Sequence, residues 1–426
     1  MDASLNTATT TRQLAGKKIL IIVENLPVPF DRRVWLEART LRDAGAEVSV
    51  ICPTGAGYEA LEEEIDGVRI HRHKMPVDAD TAGGYLKEYA AALLAETRLA
   101  WKIFFARGFD AIHACNPPDL IFLVALPFKL LGRKFIFDHH DINPELYEAK
   151  FGRRDFFWRL LRLFERLTFA VADVSIATNL SYRSIAITRG KMKPEKVFVV
   201  RSGPEIDRLK PVPPDPSLKR GRKFLVGYVG VMGEQEGIDL LLEAARHITQ
   251  DLGRADIQFA LVGSGSSLEK LKALSRTLGV DDYVTFLGRA PDETLFAVLS
   301  TADVCVNPDR VNAMNDLSTM NKIMEYMAMG KPIVQFDLTE GRYSAGEASL
   351  YAAKNDAKDF AARILELLGD EARRAAMGRF GRERVMRELS WTQQTPALIS
   401  AYLMALEGKR GGLPERSTKE PADSAG

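Results

Sequence analysis

The feature that most constrains the fold of this chain is the repeated alternation of short apolar runs with stretches of helical periodicity. Lys17–Val23 and Glu47–Cys52 are apolar runs typical of buried parallel strands, and Val34–Ala44 between them has helical spacing. The same order returns along the first half, with further strands expected at 111–113, 134–138, 172–177 and 196–200. Strands that alternate with helices predict a parallel sheet covered on both faces.

A second alternating set follows a proline-rich segment, residues 209–217, in which four of nine residues are proline. Such a segment predicts a linker. Beyond it, strands are expected at 224–229, 257–262, 283–286, 303–307 and 332–336. A chain of 426 residues is also long for one hydrophobic core. The sequence therefore predicts an α/β protein with two doubly wound domains.

We place these domains at 1–208 and 209–390. A helix at 391–407, apolar on one face, is expected to cross back to the first domain by analogy with similar folds. Residues 408–426 are polar and rich in Gly, Pro, Lys and Glu, which predicts a disordered tail.

Composition excludes some function classes. The net charge of +1 gives no global field that would favour nucleic acid, so no such partner is expected. The three cysteines lie in or beside apolar strands without paired spacing, which favours reduced, buried thiols. The start of the chain has no apolar leader, and the longest apolar stretch, 120–131, is too short to cross a bilayer. We expect a cytoplasmic protein, either free or held peripherally at the inner face of the membrane.

Open α/β sheets bind ligands at the carboxyl ends of their strands, so the loops there are the candidate sites. The first loop, residues 24–33, lacks a glycine-rich dinucleotide fingerprint and ends on Asp31, Arg32 and Arg33. Basic residues at a helix start oppose the helix dipole. Such residues predict an acidic neighbour or an anionic ligand close by. The alternative is that both arginine side chains are solvated at the surface.

The second loop, residues 138–145, concentrates titratable groups around His139, His140 and Asp141. A His-His-Asp run can suggest a metal site. Adjacent side chains on an extended segment point in opposite directions, however, and rarely share one ion. We expect no metal here, and either a structural histidine or one that contacts substrate.

The third loop, residues 227–237, carries Gly230 and Gly233, which allow the backbone to approach a ligand closely. A helix that starts near Gly237 would present free N–H groups to a diphosphate. Glu234 and Glu236 in the same loop count against a phosphate site.

The fourth loop leads into a helix that we expect from Ser318 or Thr319 to Met329. Lys322 lies in the first turn, where a cation is unfavourable unless an anion binds nearby. Glu325 follows three residues later and projects to the same side. A lysine for phosphate and a carboxylate for vicinal hydroxyls would together recognise a nucleotide, whereas a plain surface helix remains the alternative.

These residues resemble a known family. Residues 325–334, EYMAMGKPIV, are similar to the E-A-M-A-x-G-x-P-V-V signature of family 4 glycosyltransferases, and residues 322–326 resemble the K-x-x-E-Y variant of bacterial polysaccharide enzymes. Other blocks of that family occur in the same order at 224–230, 259–265 and 284–289. The resemblance covers nearly the whole chain to about residue 405.

The resemblance implies the GT-B fold, in which two Rossmann-like domains face each other across a cleft. It implies a retaining hexosyl- or N-acetylhexosaminyltransferase that uses a nucleotide-diphosphate sugar, with UDP favoured. The acceptor would be a saccharide, plausibly linked to polyprenyl diphosphate, in surface polysaccharide or exopolysaccharide assembly. Retaining transfer in this fold needs no dedicated nucleophile, and its main demand is stabilising the leaving diphosphate, so we expect neither a metal nor a cofactor.

Carried onto this chain, the family's motifs place Glu325 on the ribose hydroxyls, Gly288 and Arg289 at the base, and His140 beside the donor sugar. Asp31 and Arg32 fall in the loop that closes over the diphosphate. The expected catalytic residues are His140, Asp316 and Lys322. The expected donor-binding residues are Glu325, Gly230, Gly233, Arg201, Gly288, Arg289, Asn315, Asn321, Asp31 and Arg32.

Two departures from the family pattern affect these roles. The family's Arg and Lys in the third loop are absent, because residues 232–237 include no basic side chain. Lys322, Arg201 and helix N-termini are therefore expected to meet the diphosphate charge. Leu317 stands where the first glutamate of the family's E-x7-E pair would fall, which leaves Asp316 and Asn315 to contact sugar hydroxyls.

Residues 152–166 combine arginines with Phe, Trp and Leu. On a helix this pattern is basic and amphipathic, which favours an anionic membrane surface, although a helix that faces its own sheet would look similar. Two other functions also stay open for the whole chain. One is a non-hydrolysing nucleotide-sugar epimerase on the same fold, and the other is a catalytically degenerate scaffold subunit.

Overall fold

The computed structural model describes residues 12–74 and 82–409, with only the backbone described at 82–89. Its contacts divide the chain into two compact units. Unit 1 is Met1–Val200 with Thr395–Gly426, and unit 2 is Arg201–Gln394.

The described part of unit 1 contains one sheet with helices on its faces. Its strands are β1 (Lys18–Ile22), β2 (Glu47–Pro53), β3 (Glu62–Ile65), β4 (Val68–His73), β5 (Ala111–Cys115), β6 (Lys134–His139), β7 (Val174–Ala177) and β8 (Val197–Val199). Its helices are α1 (Arg32–Asp43), α2 (Ala82–Arg107), α3 (Phe122–Leu130), α4 (Asn143–Phe151), α5 (Phe156–Val171) and α6 (Leu180–Thr188). The strand order is β3-β4-β2-β1-β5-β6-β7-β8, and neighbours are parallel except β3 and β4.

Unit 2 contains a second, wholly parallel sheet in the order β11-β10-β9-β12-β13-β14. These strands are β9 (Phe224–Val229), β10 (Ile257–Val262), β11 (Val284–Gly288), β12 (Val304–Asn307), β13 (Ile333–Phe336) and β14 (Ser349–Ala352). The helices are α7 (Ile238–Arg246), α8 (Leu268–Thr277), α9 (Asp292–Thr301), α10 (Ala313–Leu317), α11 (Asn321–Ala328), α12 (Thr339–Ala345), α13 (Ala357–Gly369) and α14 (Glu371–Arg384). The last helix, α15 (Trp391–Glu407), starts in unit 2 and ends in unit 1.

The uninterrupted apolar runs form the central strands because helices cover both sheet faces. Every residue of β9, β10 and β12 is buried, and so is every residue of β5. This burial explains why these strands read as continuous apolar runs and not as alternating ones. The predicted doubly wound α/β fold class is confirmed. Strands β3, β4 and β14 were not predicted, because their sequences mix charged or polar residues with apolar ones.

The division between the units differs from the predicted boundary at 208/209. Leu209 is buried in the apolar core of unit 2. The backbone N–H groups of Val212 and Asp215 donate to the hydroxyls of Ser300 and Thr301 at 2.9 and 2.8 Å. The proline-rich segment is therefore tied along α9 and belongs to unit 2. The predicted disordered tail lies outside the described residues from position 410 onward.

All three cysteines are buried and none forms a disulfide. Among the described residues, no helix combines the length and the apolar character that crossing a membrane requires.

Candidate functional site

In unit 1, an asparagine after β5 fixes the shape of the loop after β6. The side-chain oxygen of Asn116 accepts the backbone N–H groups of His140 and Asp141 at 2.7 and 3.1 Å. Its amide nitrogen donates to the Asp141 carbonyl at 2.6 Å and to Asp119 Oδ1 at 2.8 Å. The backbone around His140 is thereby held by a buried side chain from the neighbouring strand.

Below this loop, Arg33 of α1 and Asp138 of β6 form a buried ion pair. Arg33 Nη2 lies 3.0 Å from Asp138 Oδ1 and 3.1 Å from Glu37 Oε1, and Nη1 donates to the Val200 carbonyl at 2.8 Å. Burial alone would raise the pKa of Asp138, but Arg33 and then His140 hold it well below its ordinary value. The sequence left open whether the cations at this helix start meet an acidic neighbour or an anionic ligand. For Arg33 the structure shows acidic neighbours, Asp138 and Glu37.

The two adjacent histidines have different environments. His139 is fully buried among aromatic rings, including Phe169 and Tyr182, and burial lowers its pKa to about 3. His140 has 16% of its side chain exposed, and its Nε2 lies 2.5 Å from Asp138 Oδ2. His139 is therefore structural, whereas His140 lies at the carboxyl end of the sheet, where open α/β sheets bind ligands.

The same region contains side chains with metal-binding chemistry. Two groups of three are close enough to hold an ion, His113 with Cys115 and Asp138, and Glu37 with Asp138 and His140. Both groups depend on Asp138, whose oxygens already accept hydrogen bonds from Arg33. A metal ion would have to compete with that guanidinium, which repels it.

Asp31 and Arg32, predicted at the diphosphate, lie at the start of α1. Asp31 Oδ1 accepts the backbone N–H of Val34 at 3.1 Å and so caps the helix. Arg32 is exposed. Capping occupies one carboxylate oxygen of Asp31, Oδ1.

In unit 2, glycines allow close backbone contact at the carboxyl ends of three adjacent strands. A Cβ on Gly263 would lie 1.8 Å from the Gly230 carbonyl oxygen, and one on Gly237 would lie 2.1 Å from the Pro308 carbonyl oxygen. Gly263 N–H donates to the Gly288 carbonyl at 2.8 Å. The loop after β9 therefore rests directly on the loops after β10 and β12.

Lys322 reaches this glycine-lined edge from the first turn of α11. A Cβ on Gly230 would lie 3.2 Å from Lys322 Cε, and the ammonium lies 5.2 Å from the centre of the Tyr228 ring. Lys322 Nζ donates to Asp309 Oδ1 at 2.6 Å. The second oxygen of Asp309 is buried with no hydrogen-bond partner. The Lys322 charge that the sequence assigned to an anionic ligand is thus met by an acidic neighbour in this structure.

Glu236 also occupies the loop after β9. Its Oε2 accepts the backbone N–H of Gly233 at 3.0 Å. Burial, and then the charge of Asp309, raises its pKa, while Lys322 opposes the shift. Gly233, predicted to contact the donor, has its N–H bound to this carboxylate. Helix α7 begins just beyond, and its N-cap, Gly237, makes no side-chain cap hydrogen bond.

The helix predicted from Ser318 or Thr319 to Met329 starts later than expected. Ser318 is extended, and its hydroxyl donates to the Met314 carbonyl at 2.8 Å, so it ends α10 and does not cap α11. Helix α11 begins at Asn321, which is exposed, after Met320, which makes no side-chain cap bond. Lys322 and the half-buried Glu325 both remain on α11, as predicted.

Asn315 and Asp316, predicted to contact sugar hydroxyls, have internal partners. The buried Asn315 amide donates to the carbonyls of Gln235 and Arg310 at 3.0 and 2.8 Å. Asp316 accepts the backbone N–H and the hydroxyl of Thr339 at 2.9 and 3.0 Å. The structure assigns both side chains to holding loops together, which leaves only the Asn315 oxygen and spare lone pairs on Asp316 for a ligand.

Arg201, predicted at the diphosphate, is buried. Its Nη1 lies 3.2 Å from Glu340 Oε2 and 3.5 Å from the Thr319 hydroxyl, and its guanidinium stacks 4.2 Å from the Tyr343 ring centre. Nη2 is buried with no hydrogen-bond partner. Ion pairing with Glu340 thus provides a structural role that the sequence did not indicate.

Gly288, predicted at the base together with Arg289, is the last residue of β11, and Arg289 follows it. Gly288 has a φ of +66° and open space where a Cβ would point. Arg289 is exposed. Gly288 is joined to Gly230 through Gly263, so the structure brings two of the predicted donor-binding glycines to one edge.

Sequence reasoning missed several residues that shape these sites. Asn116, Asp138 and Asp309 each follow or end an apolar strand, and that position was the available signal. Their partners could not be identified in the same way, since Arg33 and Asp138 are 105 residues apart.

Comparisons with known proteins agree with this architecture. Residues 31–208 match the family model described as Glycosyltransferase Family 4, and residues 223–370 match the one described as Glycosyl transferases group 1. A D-inositol 3-phosphate glycosyltransferase of Corynebacterium urealyticum is 26% identical over 245 residues, 54% of this chain and 55% of that protein. One of Salinispora tropica is 27% identical over 411 residues, 89% of this chain and 82% of that protein.

The chain thus spans about half the length of several curated relatives that it matches. Among solved structures, sucrose-phosphate synthase of Thermosynechococcus elongatus has a TM-score of 0.77 and 20% identity, and the match covers 92% of this chain and 100% of that one. That similarity shows the GT-B fold. The two matched family models account for most of both units, and the chain belongs to family 4 of the glycosyltransferases.

Proposed function

We propose that the protein is a retaining glycosyltransferase that takes a hexose or N-acetylhexosamine from a nucleotide-diphosphate sugar, with UDP favoured, and needs no metal ion. One observation carries this proposal. Lys322 and Glu325 lie on α11, and Lys322 reaches the edge where Gly230 and Gly263 let the loops after β9 and β10 pack together. A cation in the first turn of a helix suits a diphosphate, because helix N-termini favour anions, and a carboxylate one turn away suits ribose hydroxyls.

The diphosphate would compete with Asp309 for the Lys322 ammonium. Burial raises the pKa of both Asp309 and Glu236. A raised pKa favours uptake of a proton by Asp309 as the anion arrives, and the neutral acid would release Lys322 for phosphate. In the transition state the leaving diphosphate gains charge, so a cation fixed at this edge stabilises it more strongly than it does the bound donor.

Asp316, Asn315, Asn321, Arg201, Gly233, Gly288, Arg289, Asp31 and Arg32 stay in the proposal as residues that position the donor. His140 would contact the transferred sugar. The acceptor that we propose is a saccharide linked to a lipid such as polyprenyl diphosphate, in surface polysaccharide assembly. Because the two named relatives are D-inositol 3-phosphate glycosyltransferases, inositol 3-phosphate is the alternative acceptor to test.

Nucleotide binding gives the first test. A panel of UDP, GDP and their sugars should raise the melting temperature, and UDP should act at the lowest concentration, because ligand binding stabilises the native state. Lys322→Ala and Glu325→Ala should each weaken UDP binding about tenfold, or about 1.4 kcal/mol. Titration calorimetry with UDP measures this loss directly.

Lys358→Ala is the matched control, since Lys358 is an exposed lysine on α13. Its UDP affinity should equal that of the wild type. If Lys322→Ala and Glu325→Ala bound UDP as tightly as the wild type, that result would contradict the proposed site. Absence of nucleotide binding by the wild type would instead favour the scaffold alternative.

Incubation with the sugar nucleotide alone separates transferase from epimerase. A non-hydrolysing epimerase would interconvert the sugars without an acceptor, whereas the proposed transferase leaves the donor intact until an acceptor is added. Product analysis by NMR reads both outcomes and also reports whether the anomeric configuration is retained.

The orientation of α5 supports the proposed membrane contact. Phe156, Phe157 and Leu163 on α5 are 70, 57 and 49% exposed. Glu165 on the same helix is fully buried and ion-paired with Arg189. These three side chains therefore point away from the protein's own sheet, which supports the proposal.

Basic residues border this apolar surface. Lys150, Arg153, Arg154 and Arg159 are exposed on α4, α5 and the loop between them. Apolar side chains ringed by cations match an anionic bilayer, where the rings insert at the headgroup boundary and the arginines meet lipid phosphates. We call Phe156, Phe157 and Leu163 with these cations the α5 surface, and we propose that it holds the protein at an anionic membrane.

Removing both rings should abolish most of this attachment. The double variant Phe156→Ser, Phe157→Ser is expected to bind vesicles of phosphatidylglycerol and phosphatidylcholine at least about tenfold more weakly, because each buried ring contributes roughly 1.5–3 kcal/mol. Co-sedimentation measures the bound fraction. The control is Leu252→Ser, Met386→Ser, which removes two exposed apolar side chains from unit 2. Equal binding by wild type and the Phe double variant would refute the assignment, as would wild-type binding that is the same with pure phosphatidylcholine.

A further inference from the structure

A buried chain of hydrogen bonds connects the last helix of the protein to His140. Tyr402 of α15 has its hydroxyl 2.7 Å from His113 Nδ1 on β5. His113 Nε2 lies 3.3 Å from Asp138 Oδ2, and the same oxygen lies 2.5 Å from His140 Nε2. Tyr402, His113 and Asp138 are completely buried, so water does not compete for these contacts.

The proton positions in this chain follow from its charges. Burial lowers the pKa of His113, which favours the neutral imidazole. A neutral ring has one N–H, and Nε2 faces two carboxyl groups, Asp138 at 3.3 Å and Glu37 at 3.5 Å. We therefore place the proton on Nε2, since a lone pair there would oppose the lone pairs of the ionised Asp138. Nδ1 is then an acceptor, and Tyr402 donates to it.

The same reasoning assigns His140. Asp138 is ionised because Arg33 holds its pKa low, so a contact of 2.5 Å with His140 requires a proton on His140 Nε2. Arg33 Nε also lies within donor distance of His140 Nε2, at 2.9 Å, and of Asp138 Oδ2, at 3.3 Å. The contact between the ring and the carboxylate is the shorter one and joins the ring to a charged oxygen, so we place the proton on His140 Nε2 and leave the Arg33 N–H to Asp138. Among the described residues, none forms a hydrogen bond with His140 Nδ1, which is the ring atom left for a ligand.

We propose that Tyr402 is a positioning residue that acts through His113 and Asp138 to hold His140 with Nε2 protonated and Nδ1 presented to the sugar nucleotide. The proposal rests on the proposed function for its kinetic consequence, but its proton positions stand independently. Tyr402 fixes the ring plane of His113, the two rings being 5.9 Å apart with an angle of 25°. His113 in turn fixes the Asp138 oxygen that orients His140. The last helix thus completes a site whose other parts lie on β5 and β6.

The proton positions can be tested without any assay of activity. In the full-length protein labelled with 15N-histidine, two-bond correlations should show His113 and His140 both protonated at Nε2. Tyr402→Phe should shift the His113 Nδ1 resonance to that of a nitrogen without a donor and should broaden His140. A proton on Nδ1 of either ring in the wild type would overturn the proposal.

Kinetics test the positioning role. Tyr402→Phe should lower kcat about threefold to tenfold with little change in the KM for the donor, the range expected for losing one buried hydrogen bond. Tyr351→Phe is the matched control, because it removes a hydroxyl that donates to the Gly346 carbonyl at 2.6 Å in unit 2. Tyr351→Phe should lose about as much stability against urea as Tyr402→Phe does, but its kcat should be unchanged.

The outcomes separate the two proposals. An unchanged kcat in Tyr402→Phe, or an equal drop in Tyr351→Phe, would refute the positioning role. If the wild type transfers no sugar, the proposed function fails, and the 15N spectra still decide the proton positions.

Discussion

His140→Ala should lower the turnover number at least about tenfold, a loss of about 1.4 kcal/mol of transition-state stabilisation. His140 is the partly exposed member of a buried network, and Asn116, Asp138 and Arg33 fix both its backbone and its ring. A side chain held this firmly needs no reorganisation when it contacts the sugar. Its removal should therefore destabilise mainly the transition state. Initial rates at saturating donor and acceptor measure the change.

His247→Ala provides the control, since His247 is a partly exposed histidine in unit 2 whose Nδ1 lies 2.7 Å from Asp251. We expect wild-type rates from that variant. Far-UV circular dichroism and the melting temperature should show that His140→Ala is folded, because only one partly exposed ring is removed. A folded His140→Ala protein with the wild-type rate would eliminate His140 from the site.

Gly263→Ala should lower the free energy of unfolding by about 2–5 kcal/mol, more than any other variant that we propose. Its Cβ would lie 1.8 Å from the Gly230 carbonyl oxygen, and its φ of +144° is unfavourable for any other residue. Forcing the two loops apart adds roughly 1–3 kcal/mol of overpacking to about 1–2 kcal/mol of backbone strain. Urea denaturation followed by fluorescence measures the sum.

Gly253→Ala isolates the backbone part of that cost. Gly253 also has a positive φ, +66°, but nothing lies within 4 Å of the position of its Cβ. The Gly253→Ala variant should lose only about 1–2 kcal/mol of its free energy of unfolding. If both variants lose the same stability, the close contact between the loops after β9 and β10 is not present in solution. Gly263→Ala should in addition weaken UDP binding, because it displaces the Gly230 backbone beside Lys322.

Local patterns allowed the fold and part of the site to be predicted. Buried parallel strands such as β9 and β10 are apolar throughout, and that pattern is visible in any window of six residues. The spacing of Lys322 and Glu325 placed both on one helix, and the structure places them on α11. The start of α11 was misplaced because Ser318 has the chemistry of a cap, yet its hydroxyl bonds backwards to Met314.

Pairings between distant residues were not predictable. The sequence showed cations at the start of α1 and on α11, but it could not show that Asp138 and Asp309 neutralise Arg33 and Lys322. It also gave Asp316 and Arg201 roles at a ligand, while the structure pairs them with Thr339 and Glu340. A side chain with binding chemistry has the same sequence signature whether its partner is a ligand or another part of the chain.

The sequence by itself determined two doubly wound units, the family resemblance and the loops in which functional residues lie, because each depends on patterns within a few neighbouring residues. Only the tertiary structure decided which side of α5 faces outward, since amphipathic periodicity separates two faces without saying which is buried, and Arg189 stabilises Glu165 inside. It alone shows the contacts from which we infer the proton positions around His140. They depend on Tyr402, which is 289 residues from His113 in the chain and 2.7 Å from it in space.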